Sequence, residues 1–136
     1  LADHLGGGEP RFVARMNRRA QELGLANTHF VNACGHDHPG QYSTANDLAL
    51  LAEFAMSHQT FADLVKTVEV RIETTNGKRT FRLENKNELV GRYRGAIGIK
   101  TGTTEKAGKC LIALAEREGN RVMLVMLRAP ERWCHP

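Results

Sequence analysis

The residues best suited to chemistry lie together in the segment Gly98-Ile99-Lys100-Thr101-Gly102-Thr103-Thr104. On the edge of a strand, the ammonium group of Lys100 would set a positive local potential, and the hydroxyl of Thr101 would donate to a carboxylate. Gly102 has no Cβ, so the backbone of a bound peptide could approach the strand and pair with it. The segment therefore predicts a wall that holds the terminal carboxylate of an extended peptide.

A nucleophile to accompany this wall is not apparent in the 136 residues. The two serines stand in the stretches Ser43-Thr44-Ala45-Asn46 and Ser57-His58-Gln59-Thr60, and neither stretch places a lysine within the next three residues. Ser43 lies beside a predicted helix cap and has no Lys or His at a useful local spacing, which favours a structural role over an activated nucleophile. A general base is missing from the pattern for the same reason.

A zinc site is the alternative chemistry that the sequence offers. Cys34, His36 and His38 fall close together, and Cys134-His135 adds soft and imidazole ligands far along the chain. The spacing matches neither a C-x-x-C nor an H-x-x-x-H template, so an exposed polar loop that ends at Pro39-Gly40 is the favoured interpretation. The sequence accordingly predicts no metal and no other cofactor. Three cysteines are also too few for a disulfide scaffold.

Composition restricts the remaining classes of function. The chain has 41% hydrophobic and 25% charged residues and a net charge of +4, which suits one modest domain with an anionic neighbour. Arg11, Arg15 and Arg18 would form a basic helix stripe, and a solvated face explains it most simply. No aromatic residues interleave with the basic ones, which argues against nucleic acid.

Nothing in the sequence resembles a membrane span, because no run of about 18 apolar residues occurs. The first residues also lack the basic-then-apolar layout of a signal peptide. A chain that opens on Leu1 and stops at Pro136 is interpreted as a segment of something longer, so residues 1–136 are expected to form a single partial domain.

Two helices are predicted in the first half of the chain. Pro10 suits a first helical turn, apolar residues recur at helical spacing to Leu23, and Gly24 supplies a stop. A second helix should begin at a capping box, in which Thr44 accepts backbone N–H groups while Asp47 reaches back. The stretch from Gly35 to Gly40 separates the two helices as a loop.

Two strand pairs are predicted in the second half. Apolar and charged residues alternate from Val68 to Leu83 around Asn76-Gly77, a dipeptide that tolerates positive φ at both turn positions, so a hairpin is expected. A second pair, 110–115 and 122–127, should be joined across Gly119-Asn120. The unbroken apolar run 122–127 predicts a strand buried on both faces.

Several motifs along the chain resemble those of serine-type D-alanyl-D-alanine carboxypeptidases, which are low-molecular-mass penicillin-binding proteins. Lys100-Thr101-Gly102 is similar to the third signature of penicillin-recognising serine enzymes. The other matching motifs follow the family's order and are Phe12-Val13-Ala14-Arg15-Met16-Asn17, Leu23-Gly24-Leu25, Gln41-Tyr42-Ser43-Thr44-Ala45, Asp47-Leu48-Ala49-Leu50-Leu51, Asn85-x-Asn87-x-Leu89 and Ala107-Gly108.

The resemblance implies an α+β fold, part of a β-lactamase/transpeptidase-like domain in which helices flank an antiparallel sheet. It implies that Lys100, Thr101 and Gly102 belong to the catalytic site and that Thr101 and Thr103 bind substrate, with the backbone N–H of Thr103 in the oxyanion hole. The implied ligand is the peptidoglycan stem peptide or a β-lactam. The implied location is extracytoplasmic, in the periplasm or cell envelope.

Three hypotheses follow. The first is a serine-type carboxypeptidase in peptidoglycan maturation, whose Ser-x-x-Lys and Ser-x-Asn motifs, and the helix that follows the family's last strand, lie outside these residues. The 136 residues are then expected to be inactive until an upstream half or a second chain completes the domain. The second is a non-catalytic module that binds peptidoglycan or a partner. The third is a small metal-binding protein that uses Cys34, His36 and His38.

Overall fold

A computed structural model describes residues 2–132 of the chain, which form four helices followed by five strands. The helices are α1 (Ala2–Gly6), α2 (Glu9–Glu22), α3 (Ala45–Met56) and α4 (Gln59–Lys66). The strands are β1 (Glu69–Glu73), β2 (Thr80–Glu84), β3 (Ala96–Thr104), β4 (Gly108–Arg117) and β5 (Asn120–Ala129). Both sheets are antiparallel, one built from β1 and β2 and the other in the order β3-β4-β5.

Helix α2 has the ends that its sequence predicts. Pro10 lies in the first turn, and Gly24 follows the helix with φ +72°, the left-handed conformation that ends helices well. Ala20 is buried, whereas Arg11, Arg15 and Arg18 are all exposed. The basic stripe is thus a solvated helix face. Helices α1 and α4 had no counterpart in the prediction.

Helix α3 begins at Thr44 as predicted, but Asp47 acts differently. The Thr44 hydroxyl accepts the N–H of Asp47 at 3.2 Å. The buried carboxylate of Asp47 accepts the N–H of Asn27 at 2.8 Å and the hydroxyl of Thr28 at 2.7 Å. Half of the predicted capping box is therefore replaced by a tertiary contact, which ties α3 to the chain that leaves α2.

The Asp47 contact makes an acid-dependent contribution to stability. Hydrogen bonding, chiefly from Thr28, holds the pKa of the Asp47 carboxyl below its ordinary value of 3.8. The folded state thus binds this proton less readily than the unfolded state, so the stabilisation is present above about pH 4 and is lost as the pH falls through the lowered pKa. We expect Asp47→Asn to lower Tm at pH 7 and the difference from wild type to shrink toward pH 3.

Thermal melts at several pH values would test this expectation. Glu53→Gln lies on the exposed side of the same helix and serves as the control, with no change in Tm expected. A Tm difference for Asp47→Asn that stays constant from pH 7 to pH 3 would show that the carboxylate charge is not its origin.

The first hairpin forms, but its turn is longer than predicted. The last ladder pair is Glu73 with Thr80, and Thr74 N–H donates to Arg79 O at 2.9 Å across a four-residue loop. Within Asn76-Gly77, only the glycine has positive φ, at +66°. The side chain of Asn76 instead accepts the Lys78 N–H at 3.1 Å. The expectation of positive φ at both positions was wrong, because side-chain bonds stabilise a wider loop.

The two-residue turn with positive φ at both positions occurs in the second strand pair. Arg117 pairs with Asn120, and Glu118 and Gly119 have φ values of +51° and +77°. The predicted turn at Gly119-Asn120 is therefore one residue too late. Strand β5 is also not buried on both faces, since it forms the sheet edge and Val122 and Leu124 are 66% and 52% exposed.

The core lies where helices α3 and α4 pack on the three-stranded sheet. Ala52, Ile99 and Leu114 are its buried centre, with Phe61 and Val65 of α4 packed against it. Because Ile99 directly precedes Lys100, this packing fixes the strand that bears the candidate site. In the described part of the chain, no helix has the length and hydrophobicity required to cross a bilayer.

Candidate functional site

Strand β3 presents the candidate residues along one edge of its sheet. Among the strands of the described residues it pairs in that sheet only with β4, in a register that sets Lys100 opposite Ile112 and Gly102 opposite Cys110. The other edge of β3 is unpaired there. Lys100 and Thr101 line grooves on both sides of the strand, so this edge is open to an extended ligand.

The three residues of the Lys-Thr-Gly segment have distinct environments. Thr101 lies on the side of the strand occupied by Ile99 and is only 8% exposed, whereas Lys100 and Gly102 are exposed on the opposite side. The ammonium group of Lys100 donates to the carbonyl oxygen of Thr101. Within residues 2–132, the Thr101 hydroxyl has no hydrogen-bond partner. Since every fully buried side-chain oxygen there does have one, this hydroxyl reaches the surface and can donate to a ligand.

Gly102 is not required by the packing of the chain itself. A Cβ at this position would have no atom of the described residues within 4 Å. By contrast, a Cβ at Gly98 would lie 2.8 Å from the side chain of Val65, and at Gly95 it would lie 2.5 Å from a backbone oxygen. The space beside Gly102 is therefore free, which fits the predicted close approach of a peptide backbone.

The groove beside β3 has a volume of about 930 Å³ and is rich in cations. Lys86, Lys100 and Arg132 all line it, and within residues 2–132 none of the three forms an ion pair. Lys109, which also lines it, is neutralised by Glu131 at 2.5 Å. The positive potential of the groove suits a carboxylate ligand.

Two asparagines connect β3 and α4 to the segment between β2 and β3, a role that the sequence did not reveal. Asn87 is 2% exposed and donates to the carbonyl oxygen of Gly98 at 2.8 Å, while its own oxygen accepts the N–H of Leu89 at 3.2 Å. Asn85 donates to Val65 O and Thr67 O, each at 2.9 Å, at the end of α4. The Asn-x-Asn spacing could have suggested such paired side-chain bonds.

The end of β3 is bound to the loop at 35–40. Thr104 Oγ1 donates to Asp37 Oδ1 at 2.6 Å and accepts the N–H of Ala107 at 3.0 Å. The second oxygen of Asp37 accepts the N–H of Lys106 at 3.2 Å. The Thr104 hydroxyl, followed by Lys106 and His36, lowers the pKa of the Asp37 carboxyl, against partial desolvation. At neutral pH the Asp37 side chain is thus an ionised carboxylate that accepts hydrogen bonds from Thr104 and Lys106.

The other residues singled out in the sequence occur in structural settings. Ser43 exchanges a hydrogen bond with Thr28 at 2.9 Å, and Ser57 donates to Phe54 O at 2.7 Å. Cys34 and His38 bond locally, to Asn32 at 3.5 Å and to the N–H of Gly40 at 3.0 Å. Residues 2–132 contain no group of three or more His, Cys, Asp or Glu side chains that could hold a metal ion. Cys134 and His135 lie outside the described residues.

Sequence and structure comparisons agree on one family. The family model for D-alanyl-D-alanine carboxypeptidase matches residues 1–131. The D-alanyl-D-alanine carboxypeptidase DacF of Bacillus subtilis is 36% identical over 129 residues, which are 95% of this chain and 33% of DacF.

Solved structures give the same result. A DD-transpeptidase from Streptomyces superposes with a TM-score of 0.88 at 38% identity, covering 96% of this chain and 53% of that one. A D-alanyl-D-alanine carboxypeptidase from Mycobacterium tuberculosis superposes with a TM-score of 0.82 at 37% identity, covering 92% of this chain and 47% of that one. The chain thus spans a third of DacF and about half of each solved structure. The predicted α+β fold is confirmed, and the chain belongs to the D-alanyl-D-alanine carboxypeptidase family.

Proposed function

We propose that residues 1–136 form part of a single catalytic domain and supply one wall of the substrate groove of a serine-type D-Ala-D-Ala carboxypeptidase. The observation that carries the proposal is the open edge of β3. There, the unpartnered hydroxyl of Thr101, the empty space beside Gly102 and the unpaired cations of the groove occur together. This combination suits a peptide that ends in a carboxylate, such as the peptidoglycan stem peptide, or a β-lactam that resembles it.

In the proposed reaction, Thr101 donates to the terminal carboxylate and Lys100 maintains the positive potential of the groove. A serine supplied by a Ser-x-x-Lys segment attacks the carbonyl carbon of the penultimate D-alanine. An ester bond to the serine forms, the peptide bond to the terminal D-alanine breaks, and the proton that the serine hydroxyl gives up passes to the leaving amine. Water then hydrolyses the ester. The N–H of Thr103 is assigned to the oxyanion that forms at the carbonyl.

The proposed setting is extracytoplasmic, where the peptidoglycan substrate occurs. The proposed partner is whatever polypeptide carries the Ser-x-x-Lys and Ser-x-Asn segments, on the same chain or on a second one. Removing the nucleophile of a serine hydrolase leaves only a small residual effect of binding and the oxyanion hole. We therefore expect the 136 residues alone neither to release D-alanine nor to become acylated by penicillin.

Co-expression with the corresponding upstream segment of a relative such as DacF would test the proposal. We expect the pair to be labelled by fluorescent penicillin and to release D-alanine from a stem-peptide substrate. The control is the same segment with its nucleophilic serine replaced by alanine, which should assemble but not label. Stoichiometric labelling of the 136 residues alone would contradict the assignment. A folded pair that binds the stem peptide without being labelled would favour the alternative, a non-catalytic peptidoglycan-binding module.

A further inference from the structure

We propose that Asp37 is a positioning residue that fixes the end of β3 and, through it, the N–H of Thr103. This inference rests on the proposed function, because it assigns Asp37 a role in the same groove. Asp37 lies 67 residues before Thr104 in the sequence, yet the two side chains are joined at 2.6 Å. A contact between residues so far apart in the sequence depends on how the chain folds, and not on local backbone geometry.

The carboxylate of Asp37 spans the turn between β3 and β4. One oxygen accepts the hydroxyl of Thr104, the last residue of β3, and the other accepts the N–H of Lys106 within the turn. The Thr104 hydroxyl closes a ring by accepting the N–H of Ala107 at 3.0 Å. These three bonds leave the backbone that follows Thr103 little freedom to shift.

The loop that carries Asp37 is itself held, so it can serve as an anchor. Asn32 Oδ1 accepts the N–H groups of Gly35 and His36 at 2.8 and 3.0 Å. The Gln41 side chain donates to His36 O at 3.1 Å and accepts the N–H of Val31 at 3.0 Å. Because the loop is held in this way, the bond from Asp37 to Thr104 restricts the position of the end of β3.

The contact also lies at the junction of two cavities. Gly35, Thr104 and Ala107 line both the groove beside β3 and a neighbouring cavity of about 440 Å³. Loss of the Asp37 bonds would allow the strand end to move into this free volume. A displacement of about 1 Å in a group that contacts the reacting carbonyl can reduce a rate about a hundredfold. The effect should fall on the acylation step and not on capture of the carboxylate, which is assigned to Lys100 and Thr101.

The test uses the assembled protein and separates binding from acylation. We expect Asp37→Ala to lower the first-order rate of penicillin acylation about tenfold or more while the penicillin Kd changes less than about threefold. Asp37→Asn keeps one acceptor and should recover part of the loss. Thr104→Ser keeps the hydroxyl and should resemble wild type, whereas Thr104→Val should resemble Asp37→Ala. The double variant Asp37→Ala/Thr104→Val should lose less than the product of the two single effects, because both changes remove the bond between Asp37 and Thr104.

Amide hydrogen exchange in the same protein gives a second readout that needs no turnover. We expect Asp37→Ala to accelerate exchange at Lys106 and Ala107. Asp63→Ala removes an exposed carboxylate paired with Lys66 at 2.5 Å, outside both cavities, and should change neither exchange nor acylation. Unchanged exchange in Asp37→Ala, or faster exchange with an unchanged acylation rate, would overturn the proposal. If the wild-type assembly is not labelled at all, the proposed function fails, and the exchange result still decides whether Asp37 holds the turn.

Discussion

Replacing Lys100 with alanine is expected to reduce penicillin acylation of the assembled protein by about a hundredfold or more. Electrostatic groups preorganised around a developing charge typically contribute about 10²–10³ in rate, and Lys100 is the cation carried by the strand edge itself. It has no ion-pair partner within residues 2–132, so its charge is not neutralised by the described part of the chain. The measurement is the second-order rate constant for labelling by fluorescent penicillin.

Thr101→Val is the matched comparison within the same strand. The change is nearly isosteric and removes one hydroxyl, so it should weaken carboxylate capture by about 1.5–3 kcal/mol, the range for a hydrogen bond to a charged group. We expect this loss to be smaller than that of Lys100→Ala, with assembly intact in both. Lys78→Ala, in the exposed hairpin loop, is the control for the loss of one positive charge. A folded assembly that is labelled equally with lysine and with alanine at position 100 would refute the role assigned to the Lys-Thr-Gly segment.

The second large effect is expected in thermal stability. Alone, the 136 residues leave much of Val122 and Leu124 exposed to water on the edge strand β5. Each Å² of apolar surface left uncovered lacks about 25 cal/mol of stabilising free energy. We expect a low Tm for the isolated chain, rising by about 10 °C or more once the upstream segment is bound, because association buries surface as folding does. Thermal melting of each species by circular dichroism would measure this.

A charged substitution locates the surface responsible. Leu124→Glu should change the Tm of the isolated chain little and should remove most of the gain from assembly, because the side chain would then be buried as an unpaired charge. Leu64→Glu, at a similarly exposed leucine on α4, should leave the gain intact. Cooperative melting of the isolated monomer above about 65 °C would contradict marginal stability.

The sequence predicted elements where local chemistry decides them. Pro10 and Gly24 bound α2 because their backbone preferences act within a few residues, and Thr44 caps α3 for the same reason. The alternation of strands β1 and β2 and the Lys-Thr-Gly segment on β3 were equally accessible. Strand β5 is less buried than its apolar run alone predicts, because the run indicates what a complete fold could bury, whereas exposure depends on which partners are present.

Contacts between distant segments were beyond sequence reasoning. Asp47 looked like half of a capping box, yet its carboxylate is bound by residues 27 and 28. In the sequence, Asn87 was recognised only as part of a motif, and the structure shows that its side-chain amide donates to the carbonyl oxygen of Gly98. Asp37 stood in a stretch interpreted as an exposed loop, and nothing local in the sequence indicates a bond to Thr104. Each depends on tertiary placement that residue spacing does not encode.

The edge position of β5 also has a consequence for handling the protein. A ten-residue strand that presents unpaired backbone groups and exposed Val122 and Leu124 is a template for intermolecular pairing and aggregation. Arg121 and Arg128 flank its apolar run, and charges in such positions oppose stacking of like chains. Salt screens that repulsion, so raising the ionic strength should promote precipitation of the isolated chain, whereas a bound upstream segment that covers the edge should protect it.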